Sequence, residues 1–142
     1  MMALVTGCNK NNDATVGDKA EEKEDAVIST EAMQLVSATG KSATVKVENT
    51  SDAVWQSGNW RDYHLEVMKD GEWYKVEQIG DFANTMELMI FTPGQKATHT
   101  FEFENRYGNL PEGKYRIVKY WWAKATENKE AGELVTTCEF SI

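Results

Sequence analysis

Alternation of apolar and polar residues is the main pattern of this chain from residue 31 onward. Ala43, Val45 and Val47 alternate with polar residues, which predicts a half-buried β-strand. The same period of two recurs along the chain, and Gly, Pro, Asn and Asp residues mark turns between the segments. The predicted strands lie near residues 33–36, 43–48, 63–68, 73–76, 98–103, 115–122 and 134–142. About seven or eight short strands without a convincing helix predict an all-β antiparallel sandwich.

Two neighbouring segments differ in how clearly they are patterned. Tyr63 to Gln78 predicts a β-hairpin, because Asp70-Gly71 supplies the positive φ values that a tight turn needs. Residues 79–91 are less regular, and two interpretations stay open. Either Glu87 to Phe91 forms a short strand, or one helical turn lies between Phe82 and Met89.

The start of the chain has a different pattern. The apolar run Leu4-Val5-Thr6-Gly7-Cys8 resembles a bacterial lipobox, and residues 1–8 are predicted to be a lipoprotein signal. Only Met1 to Gly7 precede the cysteine, so the signal is truncated. The resemblance implies lipid attachment at Cys8 and a place in the cell membrane, on its extracytoplasmic side. Alternatively, Cys8 is an exposed cysteine at the frayed end of a soluble protein.

Residues 9–27 have the composition of a disordered acidic tether. They contain three lysines, six acidic residues and no aromatic residue. Such a segment buries too little apolar surface to offset the entropy lost on ordering. We therefore predict a disordered N-terminal tail between Cys8 and a domain that covers residues 28–142.

The charge and the cysteine content exclude several functions. The formal net charge is −8, and no clustered basic face is evident, so nucleic acid is not an expected partner. No apolar run approaches the length of a membrane span, so any membrane tie depends on Cys8. Cys8 and Cys138 are the only cysteines, and lipidation of Cys8 would leave Cys138 without a disulfide partner.

Four ordered segments resemble the bacterial immunoglobulin-like domains of secreted and lipid-anchored proteins. They are Val47 to Ser51, Asp70 to Val76, Thr92 to Gly94 and Leu110 to Lys119. The resemblance implies an immunoglobulin-like sandwich, and Gly113-x-Tyr115 within it resembles a tyrosine corner, with Ile117 in the core. The bacterial intracellular proteinase inhibitors are a second family that the domain resembles. Neither resemblance implies a catalytic residue.

Few residues could carry catalysis or hold a metal. His64 and His99 lie inside predicted strands, and strand alternation places Cys138 in the core rather than at a reactive surface. Met86 and Met89 with a histidine could suit Cu(I), but their apolar neighbours favour a core role. We expect no catalytic residue, no cofactor and no metal.

The aromatic residues provide the candidate binding site. If Ile117 and Trp121 face the core, alternation directs Arg116, Tyr120 and Trp122 outward, an arrangement typical of an interface. Alternatively, a bulge near Lys119 reverses the alternation, or the N-terminal segment covers this face. A second candidate is the loop flanked by Trp55 and Trp60, which could stack on sugars; the alternative is a core role.

These observations predict a lipid-anchored, extracytoplasmic, non-catalytic module for binding or spacing. The membrane would be reached through the lipid on Cys8, and the further partner would be a protein or a glycan. The alternative function is a proteinase inhibitor that presents an exposed loop to a protease.

Overall fold

Two β-sheets pack face to face around one hydrophobic core. The structure, a computed structural model, describes residues 13–21, 26–79 and 87–142. The small sheet has the strand order β3-β4-β9. Its strands are β3 (Met33–Ala38), β4 (Ser42–Glu48) and β9 (Lys96–Glu102). One short helix, α1 (Glu104–Tyr107), follows β9 in the described part of the chain.

The large sheet has eight strands and contains the candidate site. Its main path runs β1-β7-β6-β10-β11-β2, and β5 joins it through β10 and pairs with β8. All its pairings are antiparallel except that of β2 with β11. The strands are β1 (Val16–Lys19), β2 (Val27–Ser29), β5 (Trp55–Ser57), β6 (His64–Lys69), β7 (Glu72–Val76), β8 (Met89–Phe91), β10 (Lys114–Ala123) and β11 (Gly132–Ser141).

The all-β sandwich is confirmed, but it has more strands than the sequence pattern indicates. Eleven strands lie within the described residues, against the predicted seven or eight. The difference comes from strands of three or four residues, namely β1, β2, β5 and β8. Such strands are too short to display an alternating pattern, although Met89–Phe91 confirms the strand interpretation of that segment.

The prediction that residues 9–27 form a disordered tether is wrong for part of that range. Val16–Lys19 forms β1 on the edge of the large sheet, and Ala14 N–H donates to the Asn109 carbonyl at 2.8 Å. Val16 is 42% exposed, so apolar burial does not explain this order. Backbone pairing with the edge strand β7 orders the segment instead, an effect that composition does not report. Cys8 lies outside the described residues.

The two clearest sequence signals form as predicted. In the β6–β7 hairpin, Asp70 and Gly71 have φ values of 53° and 81°, as a two-residue turn of twisted strands requires. The Tyr115 hydroxyl donates to the Pro111 carbonyl at 2.7 Å, which confirms the tyrosine corner. The turn joins the end of β6 to the start of β7, and the tyrosine corner lies at the start of β10. Both are at the same end of the large sheet.

The pairing of β10 with β11 decides which residues face the core. It is continuous from Lys114↔Ser141 to Ala123↔Gly132, without a bulge, so the alternative of a reversal near Lys119 is wrong. Ile117 and Trp121 are buried in the core as predicted. There the ring centroids of Trp121 and Trp55 are 5.6 Å apart.

Candidate functional site

The outward face of the large sheet holds the predicted binding residues. Tyr120 is paired in register with Val135 on β11, which is paired with Ile28 on β2. One row further along, Trp122 is opposite Gln56, and Gln56 is opposite Ile90 on β8. We refer to Ile28, Ile90, Tyr120 and Trp122 as the Trp122 patch.

The Trp122 patch is the most exposed apolar part of this face. Ile28 is 65% exposed, Trp122 50% and Ile90 48%, whereas most large apolar residues of the sheet are buried. Tyr120 is half-buried, and its ring lies 5.6 Å from the His64 ring. The patch therefore spans strands β2 to β8, with Trp122 near its middle and Tyr120 as its partly covered neighbour.

Arg116 lies on the same face but in a separate cluster. Its guanidinium binds Glu66 Oε1 at 2.6 Å and lies 4.3 Å from the centre of the Trp73 ring. Six residues of extended strand, about 20 Å, separate it from Trp122. The structure thus brings Tyr120 and Trp122 together and leaves Arg116 apart, held in an ion pair.

Glu66 is the centre of that second cluster. Its side chain is 2% exposed, and its second oxygen lies 2.7 Å from His64 Nε2. Burial alone would raise the pKa of Glu66, but the hydrogen bonds from His64 and Arg116 outweigh it and lower that pKa. The carboxylate therefore stays charged and holds His64 and Arg116 on either side of it.

Lys119 is a buried cation that the sequence analysis did not single out as a functional residue. It faces inward between Ile117 and Trp121 and has no exposed surface. Its Nζ donates to Ser57 Oγ at 2.9 Å, to the Asn59 carbonyl at 3.0 Å and to the Asp62 carbonyl at 2.9 Å. These three bonds hold the loop between β5 and β6 against the sheet.

The environment of Lys119 changes its pKa. Burial lowers the pKa of this amine from 10.5 to about 8, and the nearby Asp62 charge partly opposes that change. The ammonium form fits the site, because it can donate to three acceptors at once. Arg106 donates to the carbonyls of Arg61 and Tyr63 in the same loop. Two cations therefore position this loop.

The loop between Trp55 and Trp60, the second candidate, is part of the packed structure. Trp55 is 4% exposed and belongs to the core, which confirms the alternative interpretation for this residue. Trp60 stacks on the His99 ring, with centroids 4.6 Å apart and planes inclined by 10°. One face of Trp60 is therefore already occupied by a protein ring.

The residues considered for catalysis or metal binding are dispersed. Cys138 is buried in the core as predicted, and burial raises the pKa of its thiol to about 11. His64 contacts Glu66, and His99 stacks on Trp60. Met89 packs against the core, and Met86 lies outside the described residues. No group of three or more His, Cys, Asp or Glu residues that could hold a metal occurs in the described residues.

No helix in the described part of the chain is long and apolar enough to cross a membrane.

Comparisons with known proteins identify the fold family. The chain has no significant match among curated proteins or among solved structures. Residues 22–134 match the family model of the bacterial Ig-like domain. This match covers most of the chain and agrees with the predicted resemblance, so the chain belongs to the bacterial Ig-like domain family.

Proposed function

We propose that this protein is a lipid-anchored, extracytoplasmic module that binds a protein or a glycan through the Trp122 patch. The family is one of non-catalytic binding or spacing modules, which supports the general class. The Trp122 patch is the observation that carries the binding role. A spacer would need no group of exposed apolar side chains on one sheet.

The composition of the patch supports a contact surface. Trp and Tyr are the residues that most often anchor interfaces, since each offers a large apolar area with one polar group. The direct neighbours of Trp122 across the sheet are Glu133 and Gln56, and the exposed isoleucines Ile28 and Ile90 lie one strand beyond them. A flat apolar area of this kind suits the apolar face of a sugar ring or an apolar side chain of a protein.

The anchor follows from the Leu4-Val5-Thr6-Gly7-Cys8 segment. A lipid on Cys8 would be joined to a domain whose chain is already hydrogen-bonded to Asn109 at Ala14. Six residue steps reach at most about 21 Å. The domain would therefore stay close to the membrane surface, rather than at the end of a long tether as the composition of residues 9–27 predicts.

Replacing each cysteine in turn tests the anchor. Cells that express the protein are grown with an alkyne-labelled fatty acid, and the label is followed in the wild-type protein, in Cys8→Ser and in Cys138→Ser. We expect the label and membrane sedimentation to be lost only in Cys8→Ser. Labelling that persists in Cys8→Ser, or a protein that is never labelled, contradicts the anchor.

Replacing Trp122 tests the binding role. The Cys8→Ser protein, which carries no lipid, is sedimented with delipidated envelope fragments, and the additional substitutions Trp122→Ser and Val36→Ser are compared. Val36 is 54% exposed on the small sheet and serves as the matched control. We expect Trp122→Ser to weaken binding about tenfold, as the loss of an interface anchor does.

Two outcomes contradict this part of the proposal. Equal binding by all three proteins would leave a spacing role, with the Trp122 patch as ordinary surface. One-to-one inhibition of a panel of proteases, with no binding to envelope, would assign the inhibitor function instead.

A further inference from the structure

Strand β11 has a partner along only part of its outer edge. On one side, β10 pairs with its whole length. On the other side, β2 pairs only with Leu134, Val135 and Thr136, and the chain then leaves this sheet to form β3 in the small sheet. Among the described residues, no strand pairs with Cys138 to Ser141 on that side.

The register shows which backbone groups face this free edge. Gly113 and Ile142 exchange both backbone hydrogen bonds, at 3.0 and 3.1 Å, so they form a hydrogen-bonded pair. Bonded and non-bonded pairs alternate in an antiparallel ladder. Glu139 and Ser141 therefore belong to non-bonded pairs, and their N–H and C=O groups point away from β10. Both residues are exposed.

A groove runs beside the free edge of β11. It has a volume of about 350 Å³ and separates β11 from β3 of the other sheet. Leu35, on its β3 side, is 42% exposed. The groove is lined by Thr30, Met33, Gln34, Leu35, Thr137, Cys138 and Glu139. Proline and bulges commonly protect sheet edges, and Thr137 to Ser141 have neither, with Glu139 as the one charged residue of the stretch.

We propose that Cys138 to Ser141 of β11 bind an extended peptide of another protein as an added antiparallel strand. The peptide would lie in the position that β2 vacates after Ser29 and would pair with the free groups of Glu139 and Ser141. The groove next to β3 would receive its alternate side chains. This proposal depends neither on a lipid at Cys8 nor on the Trp122 patch.

Charge identifies the kind of peptide that fits. Glu139 lies at the centre of the free edge. One of its oxygens binds Lys114 Nζ at 3.1 Å, but its side chain is 48% exposed, so a lysine or arginine opposite it would share the carboxylate. A second copy of this chain fits poorly, because two-fold pairing centred here places two Glu139 side chains opposite each other. Each copy also has a formal net charge of −8. The preferred occupant is therefore a basic, extended peptide.

Peptide titrations test this proposal on the full chain by amide NMR. The probe is the capped peptide Thr-Val-Thr-Lys-Thr-Val-Thr, and the controls are its central Glu version and a fully N-methylated version. We expect saturable shifts of the Glu139 and Ser141 amide signals and at least tenfold slower hydrogen exchange of both amides. The Glu peptide should bind at least fivefold more weakly, and the N-methylated peptide should not bind.

Two substitutions at Glu139 provide the matched variants. Glu139→Pro removes the N–H that faces the free edge but no backbone bond to β10. It also removes the exposed ion pair with Lys114, which contributes little to stability, so we expect at least tenfold weaker binding with an almost unchanged melting temperature. Glu139→Lys should reverse the preference between the Lys and Glu peptides. If Glu139→Pro does not fold, the N-methylated peptide tests the same backbone bonds from the other side.

Three results would overturn the proposal. The first is no saturable shift at millimolar concentrations of the Lys or the Glu peptide. The second is binding of the Lys peptide to Glu139→Pro as tightly as to the wild-type protein. The third is binding of the N-methylated peptide as tightly as the Lys peptide. A concentration-dependent dimer of the wild-type protein that Glu139→Pro abolishes would overturn it in favour of a second copy as the occupant.

Discussion

The two sheets of this domain place their charged residues differently. Strands β4 and β9 of the small sheet direct only polar and charged side chains outward. These are Ser42, Thr44, Lys46, Glu48, Lys96, Thr98, Thr100 and Glu102. The large sheet instead buries Glu66 on its outward face and Lys119 on its inward face. Its exposed outward positions hold apolar side chains, with Trp122 as the largest, as well as the charged Lys114 and Glu139.

This difference indicates which sheet is built for contact. The outward faces of β4 and β9 have the composition of a surface that remains in water. The large sheet neutralises its buried charges internally, through the bonds of Glu66 to Arg116 and His64 and of Lys119 to loop carbonyls. A partner that docks on the Trp122 patch would therefore not have to dehydrate those charges, which lowers the cost of binding.

Among the charged residues, the largest expected effect is that of Lys119→Ala. It removes three hydrogen bonds and leaves a cavity beside Trp60 and Trp121, so we expect unfolding to become easier by about 3 kcal/mol. Lys46→Ala, on the exposed face of the small sheet, should change stability by at most about 0.5 kcal/mol. Urea unfolding of both variants measures the difference. Similar losses in the two variants would remove the contrast between the sheets.

Glu66→Ala is expected to have the next largest effect. It leaves Arg116 and His64 without their carboxylate partner in a buried cluster. Because the Arg116 and His64 side chains retain some exposure to water, we expect a loss of about 2 kcal/mol rather than the full value for a buried pair. Glu102→Ala is the control on the small sheet, with at most about 0.5 kcal/mol expected. A loss below about 1 kcal/mol for Glu66→Ala would show that water replaces the carboxylate.

Much of the fold could be predicted from local patterns. The Asp70-Gly71 turn, the tyrosine corner at Tyr115 and the inward position of Trp121 each depend on neighbouring residues, so the sequence is sufficient to find them. Strand β1 could not be found in this way. It is ordered by pairing with β7, which lies more than fifty residues away in the chain and leaves no trace in the composition of the segment.

The candidate site shows the same limit. Alternation correctly directs Trp122 outward, and applied to Lys119 it predicts an inward side chain. Alternation alone is weak evidence for a buried lysine, because an isolated lysine is rarely buried unless acceptors surround it. Two of the three acceptors are backbone carbonyls, of Asn59 and Asp62, which any residue type could supply. The ion pair that holds Arg116 likewise depends on Glu66, which lies fifty positions earlier in the chain.

The expected change of stability with pH is smaller, and it also arises from a residue of the large sheet. The pKa of Lys119 falls from 10.5 to about 8 on folding, so the folded protein loses this proton first as the pH rises. The free energy of unfolding should therefore increase by about 1 kcal/mol between pH 8 and pH 9. Cys138, whose raised pKa acts in the opposite direction, begins to reduce the gain near pH 9. Lys119→Met should remove the increase, and an equal slope in that variant would contradict the assignment to Lys119.

The smallest expected change in stability separates the two faces of β10. Trp122 is 50% exposed on the outward face, so Trp122→Ser should change the free energy of unfolding by at most about 0.5 kcal/mol. Trp121→Ser, one residue earlier, removes a core ring that donates to Thr136 and should cost about 4 kcal/mol. Thermal unfolding of the two variants gives the comparison. A loss above about 2 kcal/mol for Trp122→Ser would show that this side chain supports the fold, since contact surfaces are replaceable without such a loss.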